Sequence, residues 1–251
     1  MYTAIGASDA IGHGSSAACI PFTECPSGLG YVQVAARALR AKGHAVSLLN
    51  LGIPTAVIGR DFEQLGRQHN RTIAGNFIED ELPFVPGTST LVTIFAGGND
   101  VNTITAALGG GAGAADPDAY IDAQARAFAS DFDTLLSGLR DRASARIVIL
   151  NLPNLAGLPY LADAAPAQRR AAQRASVGLN GTAINRLVSS DVAIVDLMCD
   201  PRSYLPSNYS GDGFHPNDAG HAFLASEVVD AALSASYPPP KASCAQMSLA
   251  P

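Results

Sequence analysis

Five apolar, β-rich runs alternate along the chain with stretches of helical period. The runs are Tyr2–Gly6, Ala45–Leu51, Leu91–Ala96, Arg146–Leu152 and Val192–Leu197. Several are apolar almost throughout, as expected of strands in a parallel sheet covered on both faces. The helical stretches are Tyr31–Lys42, Tyr120–Arg142, Pro166–Ser189 and Pro216–Ser236. The last opens on Pro216, and proline suits a first helical position because its missing N–H would have no partner there. Strand–helix alternation predicts one α/β domain over residues 1–251, with right-handed crossovers and no internal linker. Tyr237-Pro-Pro-Pro-Lys241 ends the final helix, and an irregular Pro-rich tail is expected from about residue 237 to 251.

This pattern gives a test for candidate chemistry. In an open parallel sheet, ligands bind outside the carboxyl ends of the strands. Ser8 follows the first run, Gly52 the second and Gly97-Gly98-Asn99-Asp100 the third. Asp212-Gly-Phe-His215 follows the fifth and precedes the last helix. All of them therefore fall on one edge. A serine hydroxyl needs a base to become a nucleophile, a histidine can serve, and a carboxylate can hold the imidazole in the right tautomer. Asp212 and His215 lie three residues apart, whereas only the fold can bring Ser8 to them. Asn99, just past a strand end, can aim its amide N–H at a developing oxyanion. Asp196 and Asp200 are rival carboxylates without that spacing to a histidine. His44, His69 and His221 read as surface or packing residues, and His13, close after Ser8, is expected to approach the cleft.

Composition narrows the classes. With 16 basic and 22 acidic residues and a net charge of -6, no basic stripe is available to neutralise phosphates, so no nucleic-acid partner is expected. No apolar run reaches the roughly 18–20 residues of a membrane span. Gly109-Gly-Gly-Ala-Gly-Ala114 carries the letters of a dinucleotide fingerprint, but neither the strand before it nor the acidic residue after it is in place. It reads as a flexible loop beside Asn99, and no cofactor or metal is expected. The four cysteines, Cys19, Cys25, Cys199 and Cys244, lie outside the predicted core elements. An even count there suggests two disulfides of unassigned connectivity and an oxidising compartment. The expectation is a secreted or periplasmic protein whose signal peptide is absent from this chain. Free thiols in a cytoplasmic enzyme are the alternative.

Taken together, the blocks resemble those of the SGNH hydrolases, also called the GDSL esterase/lipase family. Its serine block is similar to Gly6-Ala7-Ser8-Asp9, with Ala7 where the family has Asp. Its glycine block is similar to Asn50-Leu51-Gly52-Ile53-Pro54, with Thr55 where relatives often carry Gly. Gly97-Gly98-Asn99-Asp100 and Asp212-Gly213-Phe214-His215-Pro216 match the other two blocks, all in order. The resemblance implies a flavodoxin-like, three-layer α/β/α fold around a parallel sheet of about five strands. It implies a triad of Ser8, His215 and Asp212, and an oxyanion hole built from the N–H groups of Ser8 and Gly52 with the Asn99 side chain. The nucleophile elbow of α/β-hydrolases does not fit, because Gly6-Ala7-Ser8-Asp9-Ala10 lacks its final glycine.

The expected activity is hydrolysis of a small-molecule or glycan carboxylic ester of short to medium acyl length. A carbohydrate O-acetylesterase, or a lipase or thioesterase, is the alternative within the family. The absence of tryptophan removes the commonest sugar-stacking platform. The loops Gly12–Gly30, Asn102–Pro117 and Pro153–Pro166 are expected to line the cleft. A non-catalytic binding module and a nucleotide-binding flavodoxin-like protein are the competing classes. The first is opposed by the complete set of blocks and the second by the lack of a phosphate loop.

Overall fold

A computed structural model describes residues 1–248. Five parallel strands form one sheet in the order β2-β1-β3-β4-β5. They are β1 (Tyr2–Gly6), β2 (Leu48–Asn50), β3 (Leu91–Phe95), β4 (Arg146–Leu150) and β5 (Val192–Val195). β1 and β3 pair in full, from Tyr2 opposite Leu91 to Gly6 opposite Phe95. The strand that leads to Ser8 is thus an interior one, with β2, which leads to Gly52, on one side and β3, which leads to Asn99, on the other. Every strand stops short of its predicted end except β1, because the chain turns as soon as it clears the sheet. β2 is also late to start and pairs through only three residues, as suits an edge strand.

Helices cover both faces, giving the three-layer α/β/α architecture. On one face α1 (Tyr31–Ala41) packs with α6 (Asp218–Leu233) over Tyr2, Val148 and Val195. On the other lie α2 (Arg60–Gln68), α3 (Gly98–Gly109), α4 (Pro117–Arg142) and α5 (Pro166–Leu179), around a core that includes Ile94, Phe128, Phe132 and Ile149. Phe128 and Phe132 share one face of α4 and are fully buried. Each such side chain stabilises the fold by about 1.5–3 kcal/mol relative to leaving it in water.

Four departures from the sequence reading have physical causes. α2 was not foreseen because its nine residues bury only Phe62 and Gly66. α3 was hidden by its start, Gly98-Asn99-Asp100, which is poor in helix formers; the stripe Val101, Ile104 and Ala107 packs it down regardless. The long helix expected to Ser189 stops at Leu179. Beyond it the buried Asn180 side chain bonds both backbone groups of Leu152, and a π-turn at Asn180–Ile184 follows. Finally, α6 begins at Asp218 rather than Pro216. Asn217 caps it by accepting from the N–H groups of Ala219 and Gly220, while Pro216 is extended and bridges Tyr209.

Two disulfides form, Cys19–Cys25 and Cys199–Cys244. The second ties the segment after β5 to the tail. The described part of that tail has a short 3-10 turn at Ala245–Ser248, and residues 249–251 lie outside the described residues. No described helix is long and apolar enough to cross a membrane.

Candidate active site

The chain leaves β1 in tight turns. Ala7 O accepts from Ala10 N–H, Ser8 O from His13 N–H, and Asp9 O from Gly12 N–H. This brings the Ser8 side chain back over the sheet edge, nearly buried at 7% exposure. From the other end, residues 207–217 form a closed turn. Ser210 N–H bonds His215 O, Asn217 N–H bonds Asn208 O, and the Asn217 side chain donates to Ser207 O and Tyr209 O. Gly213 has φ of 68°, and a Cβ there would stand 2.6 Å from Tyr160 N, so only glycine fits.

Asp212 organises that turn. Its Oδ1 accepts from Ser210 Oγ, Phe214 N–H and His215 N–H, and its Oδ2 lies 2.5 Å from His215 Nδ1. Partial burial opposes ionisation, but the bonds from the His215 side chain and backbone, Phe214 and Ser210 outweigh it. They hold the Asp212 carboxyl well below the usual range. An ionised carboxylate only accepts, so Nδ1 carries a proton and Nε2 of a neutral ring is left as an acceptor. Nε2 stands 2.8 Å from Ser8 Oγ.

The other two blocks flank the serine block at the sheet edge. Gly97, with φ of 108°, ends the turn after β3 and starts α3, whose first turn carries Asn99. The Asn99 amide donates to Ala56 O at 3.0 Å, which leaves its second N–H free to serve elsewhere. Its Oδ1 accepts from the half-buried Arg71 at 3.3 Å. The Gly52 N–H faces Asn50 Oδ1 at 3.1 Å, while Asn50 itself donates to Ala10 O. Gly52 therefore reaches an oxyanion only by sharing its single hydrogen or by turning away from Asn50. Among the described residues the Ser8 N–H has no partner. Thr55, where relatives often have glycine, keeps a left-handed φ of 65° and its Oγ1 accepts from Ala74 N–H.

Sequence reasoning missed Glu81. It is fully buried, and its two carboxyl oxygens accept from Gly6 N–H at 2.9 Å and Ile53 N–H at 3.4 Å. One side chain thus clamps the residue after Gly52 to the strand end that leads to Ser8. Burial pushes its carboxyl well above the usual range, against those two donors. Glu79-Asp80-Glu81 reads as an exposed acidic run, so the sequence carries no sign of the role. Asp100, beside Asn99, is likewise buried, and burial raises it to about 7 against the pull of the Ile58 N–H it accepts.

The remaining candidates fall into place around this centre. The His13 ring meets the His215 ring edge-on at 4.3 Å between centroids. His221 is buried packing: Nδ1 accepts from Tyr31 N–H and Nε2 donates to His13 O. Asp196 accepts from Asn151 and from backbone N–H groups, and Asp200 pairs with Arg202. The Gly109–Ala114 segment does not lie beside Asn99, because α3 carries the chain about 15 Å away before it begins. The expected loop at Asn102–Pro117 is thus mostly helix. Pro153, Leu155 and Leu158, by contrast, do line a cavity of about 60 Å³ under the His215 turn. Among the described residues, one set of side chains has metal-like spacing, His13, Asp212 and His215, with donors within 4.8 Å of one another. Asp212 and His215 spend their facing atoms on each other.

Solved structures share this architecture. An extracellular lipase from Streptomyces rimosus is 20% identical, with a TM-score of 0.56, covering 92% of this chain and 98% of its own. The acetylxylan esterase Axe2 of Geobacillus stearothermophilus is 18% identical, with a TM-score of 0.55 and 96% of each chain covered. A lipase from a goat rumen metagenome is 17% identical, with a TM-score of 0.62, covering 92% of this chain and 96% of its own. Among curated proteins, no sequence relative matches. The family model of the GDSL-like lipases/acylhydrolases matches residues 4–223, a span that takes in all four blocks, and the chain belongs to that family as a carboxylic ester hydrolase.

Proposed function

We propose that this protein is a serine esterase acting on carboxylic esters of short to medium acyl chains, with Ser8 as nucleophile, His215 as general base and Asp212 as its orienting carboxylate. The observation that carries this reading is the unbroken hydrogen-bond chain from Ser8 Oγ through His215 to Asp212. Oγ attacks the ester carbonyl carbon while Nε2 takes the hydroxyl proton. The carbonyl π electrons move onto oxygen, and that oxyanion is held by the N–H groups of Ser8 and Gly52 and the free amide hydrogen of Asn99. The intermediate collapses, the C–O bond to the alcohol breaks, and the alcohol leaves with the proton from Nε2. Water then attacks the acyl-serine by the same path, with Nε2 again taking and returning a proton.

The match to the GDSL-like lipase/acylhydrolase family, with a lipase and an acetylxylan esterase of like fold, supports ester substrates generally. The two disulfides support a site of action outside the reducing cytosol. Because the four blocks are shared among residues 6–216, the chain acts as one catalytic unit. The test is labelling with a fluorophosphonate probe and hydrolysis of aryl esters. The wild type is expected to label at Ser8 and turn over, and Ser8→Ala to fold but do neither. Full turnover by Ser8→Ala would remove the assignment.

A further inference from the structure

We infer that Arg71 is a positioning residue of the reaction: its guanidinium fixes the Asn99 amide in the orientation that offers an N–H to the oxyanion, and makes that N–H a stronger donor. The inference rests on the serine-esterase reading above, with Asn99 in the oxyanion hole. A side-chain amide can be turned end for end with no change of shape, so its partners decide which end donates. Asn99 has one partner of each kind. Ala56 O can only accept, and it takes one Nδ2 hydrogen at 3.0 Å. Arg71 can only donate, and its Nη2 reaches Asn99 Oδ1 at 3.3 Å. Turned over, the amide would set its oxygen against a carbonyl and its NH₂ against a guanidinium. The positive charge at Oδ1 also draws electrons from the amide, and linked hydrogen bonds polarise one another, so the second N–H gains strength as a donor.

The backbone holds Arg71 firmly for this task. α2 ends in a Schellman cap: Asn70 has a left-handed φ of 59°, its N–H bonds Arg67 O, and the Arg71 N–H bonds Gly66 O at 2.9 Å. Gly66 is buried, and a Cβ there would stand 2.7 Å from Ile73 and 3.4 Å from Thr103 Oγ1 of α3. α2 therefore packs close on α3, and its capped end delivers Arg71 to the first turn of α3, where Asn99 sits.

Stability does not account for the residue. Arg71 Nε is buried without a hydrogen-bond partner. Among the described residues no carboxylate forms an ion pair with the guanidinium. Burial pulls it below its ordinary value, and Tyr160 and Asp100 pull back only in part. A cation that burial penalises and that leaves a donor unpaired costs the fold free energy. Breaches of this kind collect at functional sites.

The full-length protein should be assayed on p-nitrophenyl acetate beside Asn99→Ala, and Arg71→Met and Arg71→Lys should be made in both backgrounds. A fluorophosphonate probe counts active serine, and urea midpoints report stability. Arg71→Met is expected to lower kcat about tenfold, with KM within about twofold, because a charge-assisted contact that acts in the transition state is lost. Its urea midpoint should stay level or rise. Arg71→Lys keeps the charge without the planar fork, and its loss should be only about threefold. In the Asn99→Ala background Arg71→Met should cost less than about twofold, because a residue that acts through Asn99 has nothing left to act on. An equal loss in both backgrounds overturns the proposal, as does a loss confined to KM or an unchanged kcat. A kcat loss matched by a fall in urea midpoint and in labelled serine assigns Arg71 to the fold and overturns it too. Asn99→Ala turning over as fast as the wild type also overturns it, and leaves the triad standing. A wild type that neither labels nor turns over removes the esterase reading and this one together. If Arg71→Met does not fold, Arg71→Lys in the two backgrounds decides by the same comparison.

Discussion

The two arms that meet at Ser8 are built differently. The His215 arm is a local device. Asp212, three residues away, supplies four of its hydrogen bonds, and the flanking Asn208–Asn217 contacts close the same turn. The oxyanion arm is assembled at long range. Asn99 is held by Ala56 and Arg71, Gly52 is faced by Asn50, and Glu81 pins the backbone beside both Ser8 and Gly52 from 75 residues beyond Gly6. A base must keep one orientation while it shuttles a proton. An oxyanion hole must be stiff against the charge that develops in it, and buried polar groups with few alternatives provide that stiffness.

Substitutions can break the contrast at either end. The largest effect on turnover is expected from Asp212→Asn, about 10⁴-fold in kcat, because an amide cannot hold the required tautomer. Aryl-ester kinetics with circular dichroism checks it, and the secondary structure should be unchanged. Asn99→Ala should cost about 10²–10³-fold in kcat with little change in KM, since it removes one donor that acts in the transition state. Glu81→Gln turns an NH₂ toward one of the two donors it now satisfies. A fall of about tenfold in kcat is expected, with about 1–3 kcal/mol lost in urea unfolding. If Glu81→Gln lowered stability alone, the clamp would be structural and the two arms would be less alike in function than in location.

The smallest change in turnover, under about twofold, is expected for Asp100→Asn, whose effect lies in pH dependence. Asp100 stands at about 7 in the fold against an ordinary 3.8. The unfolded chain therefore ionises first, and stability declines as pH rises from about 4 to about 7, then levels off. Glu81 and Asp131, both pushed up chiefly by burial, act in the same direction. Asp100→Asn should flatten this decline in part, as read from urea midpoints across that range.

The same contrast explains what was legible in the sequence. Asp212 and His215 announce themselves by spacing, and the strand-end rule aligns them with Ser8, Gly52 and Asn99 before any coordinates are known. The five strands and a parallel sheet covered on both faces follow from alternating apolar runs, whereas the strand order does not. Glu81 and Arg71 left no such trace, because their roles depend on burial against residues tens of positions away. Nor did α3, whose glycine and asparagine start contradicts its helical state until the core packs on Val101 and Ile104. The cavity was invisible for a similar reason. It is a space left between a strand end, two helices and the loops beyond the sheet, and no local pattern encodes a void.

The separation of Ser8 from His215 by 207 residues has a consequence for biosynthesis. The serine is made first and follows an interior strand, yet the base proposed for it arrives only when the turn before α6 is complete. On the proposed mechanism a nascent chain thus carries no hydrolytic activity, since only a docked fifth strand and final helix bring His215 to Ser8. Activity becomes a report of completed folding.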